Sequence, residues 1–195
     1  MPDPSARNFI RPADILGRYY QDTPKAHRIL LEHSRKVCRR ALKVARALAA
    51  RGETVDIRFV AEATMLHDIG MIYTHTPELG CSGSEPYLRH GILGREMLEK
   101  EGLPRHALVC ERHIGVGLSA AEIREQQLPL PQRDMRPQSL EEQIICYADL
   151  FYSKNKKNRK QEKEPAKVRK KLTKYGPDKV AIFDGWLERF EPDLG

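Results

Sequence analysis

Residues 23–52 read TPKAHRILLEHSRKVCRRALKVARALAARG, and their apolar spacing decides the fold class. Ala26, Leu30, Val37, Ala41, Val44 and Leu48 recur by threes and fours once His33 is counted with them. That is the period of one helix face. Pro24 suits the first helical position, Thr23 is placed to cap it, and Gly52 is a natural stop. His33 therefore points inward with the core residues. A polar ring on an apolar face needs a partner.

Helical signals continue in both directions. Residues 1–22 form a tail with a short helix. Asp56 caps a helix that runs to about residue 67, and Gly70 and the stretch 74–83 break regular structure. Helices follow over about 86–100, ended by Gly102, and 104–113, ended by Gly115. Residues 116–138 carry three prolines and no clean period, and read as a loop over one end of the bundle. Ser139-Leu140-Glu141-Glu142 has the capping-box pattern and opens a helix to about residue 154. Two last helical stretches, 166–175 and 177–190, are separated by Gly176-Pro177. Strand signals are weak and no repeat is present. The expected fold is all-α: a single-domain helical bundle over residues 23–155, with a basic connection and C-terminal helices over 156–195 packing on it.

The chain has 195 residues, enough to bury a sizeable core. No apolar run approaches the ~20 residues of a membrane span. The first residues lack the basic and apolar regions of a secretory signal. A cytoplasmic protein is expected. Cys38, Cys81, Cys110 and Cys146 form no tight pair, so reduced thiols are expected rather than a disulfide framework or a cysteine zinc site. The net charge of +7 is local: residues 154–174 hold 11 Lys/Arg against 2 Glu, leaving the remainder slightly acidic. This argues against nucleic acid as a partner and leaves room for a local phosphate-attracting patch or a solvated helix face.

The candidate chemistry begins at His67-Asp68, at the end of an expected helix. Alone, such a dipeptide is weak evidence. Its context is stronger. His90 lies at helical spacing from Leu93 and Met97, His113 from Val109 and Cys110, and Asp149 from Ile145 and Tyr152. Together with His33 these positions face the core. A buried carboxylate is expensive unless paired or metal-bound, and the pattern gives no basic residue an inward position near Asp149. Divalent metal would satisfy all six side chains. A donor set of imidazole and carboxylate suits Fe, Mn, Zn or Co.

The order His33, His67-Asp68, His90, His113, Asp149 resembles the HD superfamily of metal-dependent phosphohydrolases, over about residues 25–155. The string HDIG at 67–70, the step His90-Gly91 and the pair Ala148-Asp149 carry the resemblance. It implies one metal at His33, His67, Asp68 and Asp149, and a second held by His90 and His113 with Asp68 bridging. It further implies hydrolysis of a phosphate ester or anhydride by metal-activated hydroxide, with Asp68 as the catalytic carboxylate. The spacing is similar to that of small bacterial diadenosine tetraphosphate hydrolases. It departs from the HD-GYP phosphodiesterases, because no Gly-Tyr-Pro follows His113 and Met71 stands where those enzymes usually carry Lys.

Arg89, Arg112 and Lys154 are the candidates for binding substrate phosphate; the first two adjoin ligands and the third follows Asp149 on the same expected helix. His27, His75, His106 and Cys81 are left outside the site. The expected partner is a small phosphorylated molecule, a nucleotide, with no membrane; a homodimer is left open. The competing readings are a non-catalytic metal- or nucleotide-binding regulator, a di-iron oxygenase, and nucleic-acid binding through 154–174.

Overall fold

A computed structural model describes residues 10–155, 159 and 161–194. The fold is all-α. Helix α1 spans Pro12–Tyr20, α2 Pro24–Ala50 and α3 Ile57–Leu66. A 3-10 turn, Ile69–Tyr73, leads to strands β1, His75–Thr76, and β2, Cys81–Ser82. The two strands pair antiparallel, His75 opposite Ser82 and Thr76 opposite Cys81. A 3-10 turn at Tyr87–Arg89 enters α4, His90–Lys100, and α5 follows at Pro104–Arg112. Then come α6, Ala120–Glu125, α7, Leu140–Leu150, α8, Pro165–Leu172, and α9, Pro177–Phe190.

Helix α2 is the axis of the bundle, about 40 Å long at 1.5 Å per residue. It buries the face its spacing predicts, from Ala26 through His33 to Leu48. The core on either side of it divides in two. One cluster joins Ala26, Ile29 and Leu30 to Leu66, Ile69, Leu98 and Cys110. The other joins Val37, Val44 and Leu48 to Phe59, Ile144, Tyr147 and Phe183. The seam crosses α2 between Leu30 and Val37, and α3 between Ala63 and Leu66. His33 and His67 stand on that seam.

Several expected boundaries are corrected. Thr23 does not cap α2; its hydroxyl donates to Tyr20 O instead, at 3.3 Å. Asp56 does cap α3, accepting from Phe59 N at 3.0 Å. The loop expected over 116–138 contains α6, held by a complete Ser119–Glu122 capping box. At Ser139 only half the box forms: Ser139 Oγ accepts from Glu142 N, while the Glu142 carboxylate accepts from Gln138 N and pairs with Arg112. Helix α7 ends at Leu150, four residues before the expected end, so Lys154 is not on it.

The C-terminal helices cover α2 and α7. Phe183 and Phe190 meet the ring of Tyr147, at 5.9 and 5.3 Å between centroids. Residues 156–158 and 160 of the basic stretch lie outside the described residues. Much of the rest is engaged rather than free: Lys163 donates to Leu150 O and Tyr152 O, each at 2.7 Å, and Arg169 to Asp184 at 2.6 Å. All four cysteines are unpaired thiols. No helix among the described residues is long and apolar enough to cross a membrane.

Arg40 ties this cover down. It is 8% exposed, ion-paired to Glu191 and Glu162, and its guanidinium lies 3.4 Å from the Phe151 ring centroid. Removing one member of a buried pair strands the other, so Arg40→Ala should lose about 3–5 kcal/mol. Urea unfolding measures this; a loss below about 1 kcal/mol would show that the pair is not what holds α9.

Candidate metal centre

Five helices bring the six ligand candidates together. His33 is on the inward face of α2; His67 is the residue after α3; Asp68 opens the following turn. His90 is the first residue of α4, His113 directly follows α5, and Asp149 lies in the last turn of α7. The four histidines and Asp68 are buried, and the Asp149 side chain is 20% exposed. Burial from several elements at once fixes these side chains without a flexible loop.

The two oxygens of Asp68 face different neighbours. Oδ2 lies 2.9 Å from His67 Nε2 and 3.2 Å from His33 Nε2. Oδ1 lies 3.2 Å from His90 Nε2 and 3.4 Å from His113 Nε2. Asp149 Oδ1 completes the first group, 2.9 Å from His33 Nε2 and 3.6 Å from His67 Nε2. Two ligand groups result, His33–His67–Asp68–Asp149 and Asp68–His90–His113, with Asp68 in both. The donor set of neutral nitrogen and carboxylate oxygen suits a divalent metal.

The tautomers strengthen the fit. His67 Nδ1 donates to Thr64 O, His90 Nδ1 to Tyr87 O and His113 Nδ1 to Cys110 O, at 2.6, 2.6 and 2.7 Å. A carbonyl can only accept, so in each neutral ring Nε2 carries a lone pair aimed at the centre. His90 Nε2 and His113 Nε2 then face each other at 3.1 Å. Lone pairs crowding on carboxylate oxygens repel unless a cation lies among them. Asp68 Oδ1, His33 Nε2, His67 Nε2 and Asp149 Oδ1 have no hydrogen-bond partner. Orphaned atoms of this kind are rare in a folded interior.

The charges agree. Burial works against a protonated His67, but Asp68 and Asp149 outweigh it and push the imidazole up to about 10. Burial likewise opposes charge on Asp68, yet His67 and Lys154 hold its carboxyl well below the usual range; Asp149 is depressed by His33 and His67 against the same burial. Burial, with His67 and His90 adding to it, lowers His113. A proton on His67 would take the place of a metal ion at these residues, and metal binding would expel it. Metal affinity should therefore rise between pH 6.5 and about 10, by up to about tenfold per unit. Calorimetry in two buffers of different ionisation heat measures the released proton; a pH-independent affinity with no release would refute this account. Stability of the metal-free protein follows the opposite sign for the two residue types. The raised His67 stabilises fully below 6.5 and loses that contribution as pH rises through about 10. The depressed carboxyls contribute above their ordinary range and lose it in acid.

A cavity of about 440 Å³ opens on His33, His90, His113 and Asp149. Of the candidates for binding phosphate, Lys154 lines it, with Nζ 2.5 Å from Asp68 Oδ2. Burial opposes the ammonium charge, but Asp68 and Tyr87 raise the lysine above its ordinary value. Lys154 is therefore the inward cation that helical spacing failed to reveal. Arg89 and Arg112 are corrected: neither lines the cavity. Arg89 pairs with Glu85 at 2.7 Å and Arg112 with both oxygens of Glu142, at 3.1 and 3.0 Å. Met71 is buried in the apolar cluster around Leu66 and Ile69.

The wall also holds residues that helical spacing does not assign to the site, Tyr87 and Lys171 among them. Tyr87 stacks on His90 at 4.6 Å, and Lys171 comes from α8. The Tyr87 signal is its place three residues before His90, one helical turn; Lys171 lies in the basic stretch 154–174, whose composition suits a phosphate-attracting patch but does not place it at the site. The histidines set aside stay out of the centre. His106 is buried against Phe59 and lies 3.6 Å from Glu62, His75 is exposed, and His27 packs on Tyr20.

The HD domain family profile matches residues 30–153, from just before His33 to just after Asp149. An uncharacterised protein of Methanocaldococcus jannaschii is 37% identical over 121 residues, 62% of this chain and 64% of the relative. Two tRNA (cytidine(56)-2'-O)-methyltransferases are also similar. That of Picrophilus torridus is 31% identical over 64% of this chain and 32% of the relative, and that of Thermoplasma volcanium 29% over 74% and 36%. The chain thus matches just under two thirds of the first relative and about a third of the other two. No solved structure matches it. With the profile covering well over half of its length and both ends of the ligand series, the chain belongs to the HD domain family.

Proposed function

We propose that the protein is a metal-dependent phosphohydrolase acting on a phosphate ester or anhydride of a nucleotide. The observation that carries this reading is the double-facing Asp68, one oxygen toward His33 and His67 and the other toward His90 and His113. Two divalent ions held there would supply a water of lowered pKa and positive charge for phosphoryl oxygens. His33, His67, Asp68 and Asp149 would hold one ion, and Asp68, His90 and His113 the other. Residues 23–155 carry the whole ligand set, and we take them as the metal-binding unit, covered by α8 and α9.

The residues' own tasks follow from their positions. Asp68 spans both ligand groups and orients the attacking water toward phosphorus. The buried floor keeps bulk water out, which strengthens every charge interaction at the reacting atom. Lys154 has its ammonium beside Asp68, where it can meet a phosphoryl oxygen; Lys171 adds a second cation on the wall. Together they offer the positive charge that Met71 lacks. Within this class, the resemblance to diadenosine tetraphosphate hydrolases points to dinucleoside polyphosphates. Four unpaired thiols suit a reducing cytoplasm. The methyl-transfer activity named for two relatives is not carried over, because the match covers about a third of each.

Metal analysis of the protein as purified, followed by a nucleotide panel with Mn, Fe and Co added back, tests the reading. Metal-dependent phosphate release is the expected result. Bound metal without phosphate release from any nucleotide would sink it, and iron with oxygen consumption would establish an oxygenase instead.

A further inference from the structure

A second cavity, of about 290 Å³, adjoins the metal cavity and shares Ile114, Gly115 and Lys171 with it. Its chemistry is different. Leu88, Val116, Leu128, Leu150, Val168 and Leu172 give it an aliphatic lining, and Tyr175, 60% exposed, stands at its edge. Polar groups are few: Glu122 and Lys179 are bonded to each other at 2.6 Å, and Gln126 offers an amide.

The walls are preformed. Lys179 is 4% exposed and donates to Gly117 O at 3.0 Å, tying α9 to the loop after His113. Gly117 has φ 92°, and a Cβ there would lie 2.7 Å from Arg136 Cα, so the loop is pressed against the 134–137 segment. Leu118 and Met135 exchange backbone hydrogen bonds across the same contact. Gly115, with φ 63° and open space where a Cβ would be, forms the threshold between the two cavities. A pocket with an apolar lining, a few fixed polar groups and a rigid wall is what a small organic group requires.

We propose that this second pocket holds the base of the nucleotide, so that the planar ring determines which phosphate compounds are hydrolysed. The proposal rests on the phosphohydrolase reading and adds to it the placement of the substrate. A phosphoryl group at the metal ligands lies near Lys154 and Lys171; the sugar crosses Ile114–Gly115; the ring enters among Leu128, Val168 and Leu172, against Tyr175 and within reach of the Gln126 amide. A bare sugar phosphate or pyrophosphate would leave this apolar surface wet.

The test compares nucleoside 5'-monophosphates with ribose 5-phosphate and octyl phosphate, by calorimetric binding to metal-loaded protein and by phosphate release. Wild type, Leu128→Trp, which fills the pocket, and Tyr175→Ala, a surface change, are measured together with their melting temperatures. The nucleotide should bind at least about tenfold more tightly than ribose 5-phosphate to wild type. That ratio should collapse in Leu128→Trp and fall about threefold in Tyr175→Ala. Equal binding of both sugar phosphates to wild type overturns the proposal, as does an unchanged ratio in the variants. If Leu128→Trp does not fold, Tyr175→Ala decides. Tighter binding of octyl phosphate than of any nucleotide overturns the assignment to a base. Base-dependent binding without phosphate release would leave the pocket standing and remove the hydrolytic reading alone.

Discussion

Asp68→Ala is expected to purify with no metal and to release phosphate at least about a thousandfold more slowly than wild type, about 4 kcal/mol of lost transition-state stabilisation. The size follows from position. Most ligands serve one group of donors, but Asp68 serves both, with Oδ2 2.9 Å from His67 Nε2 and Oδ1 3.2 Å from His90 Nε2. Its loss also removes the anion that offsets burial at His67 and Lys154, and leaves the Lys154 ammonium without its partner. Asp68→Asn separates charge from shape: it keeps the volume and one acceptor oxygen but not the bridging anion. It should also lose metal, with a smaller change in melting temperature. Metal content and phosphate release are read on the same preparations, with circular dichroism as the check on folding. Wild-type hydrolysis in Asp68→Ala would end the proposal for the site.

The candidate ligands stand out in the sequence for the reason that makes them candidates. A polar group at an apolar helix period has to be paid for by something, and His33, His90, His113 and Asp149 all stand at such positions. The cations around them were hidden for the converse reason. Arg89 and Arg112 adjoin His90 and His113 in sequence, but successive residues on a helix point about 100° apart. A residue beside an inward ligand therefore looks elsewhere, and both arginines meet carboxylates outside the cavity. Lys154 reaches the centre because α7 stops at Leu150, and a chain end of that kind is poorly marked in sequence. Lys171 arrives from α8 by tertiary packing alone. The helices followed the same logic: α2 and α9 are long and bury one continuous face, whereas six-residue α6 is too short to show a period and stands among prolines. Its Ser119–Glu122 box was the one available signal.

The glycine of HDIG leads to the second large effect. A Cβ on Gly70 would lie 2.2 Å from Gly94 N and 2.2 Å from His90 O. Both are backbone atoms of α4, so no side chain can swing aside. Gly70 thus does not serve a special φ; it allows the turn carrying Asp68 to touch the helix carrying His90. Gly94 continues the fit on the other side, where a Cβ would stand 3.1 Å from Cys110 Sγ on α5. Gly70→Ala should force α4 away and lengthen the Asp68 Oδ1–His90 Nε2 approach, now 3.2 Å. Overpacking of this kind loses about 1–3 kcal/mol of stability. The second ligand group should suffer more than the first, because His33, His67 and Asp149 are not on α4. Metal titration is expected to show the weaker site loosened by about 10–100-fold, with the stronger one retained. Gly17→Ala is the control: nothing lies within 4 Å of its Cβ position on α1, and it should be neutral or stabilise by up to about 1 kcal/mol. If Gly70→Ala kept wild-type metal stoichiometry and stability, close contact between the two backbones could not be what sets the spacing of the metal centre.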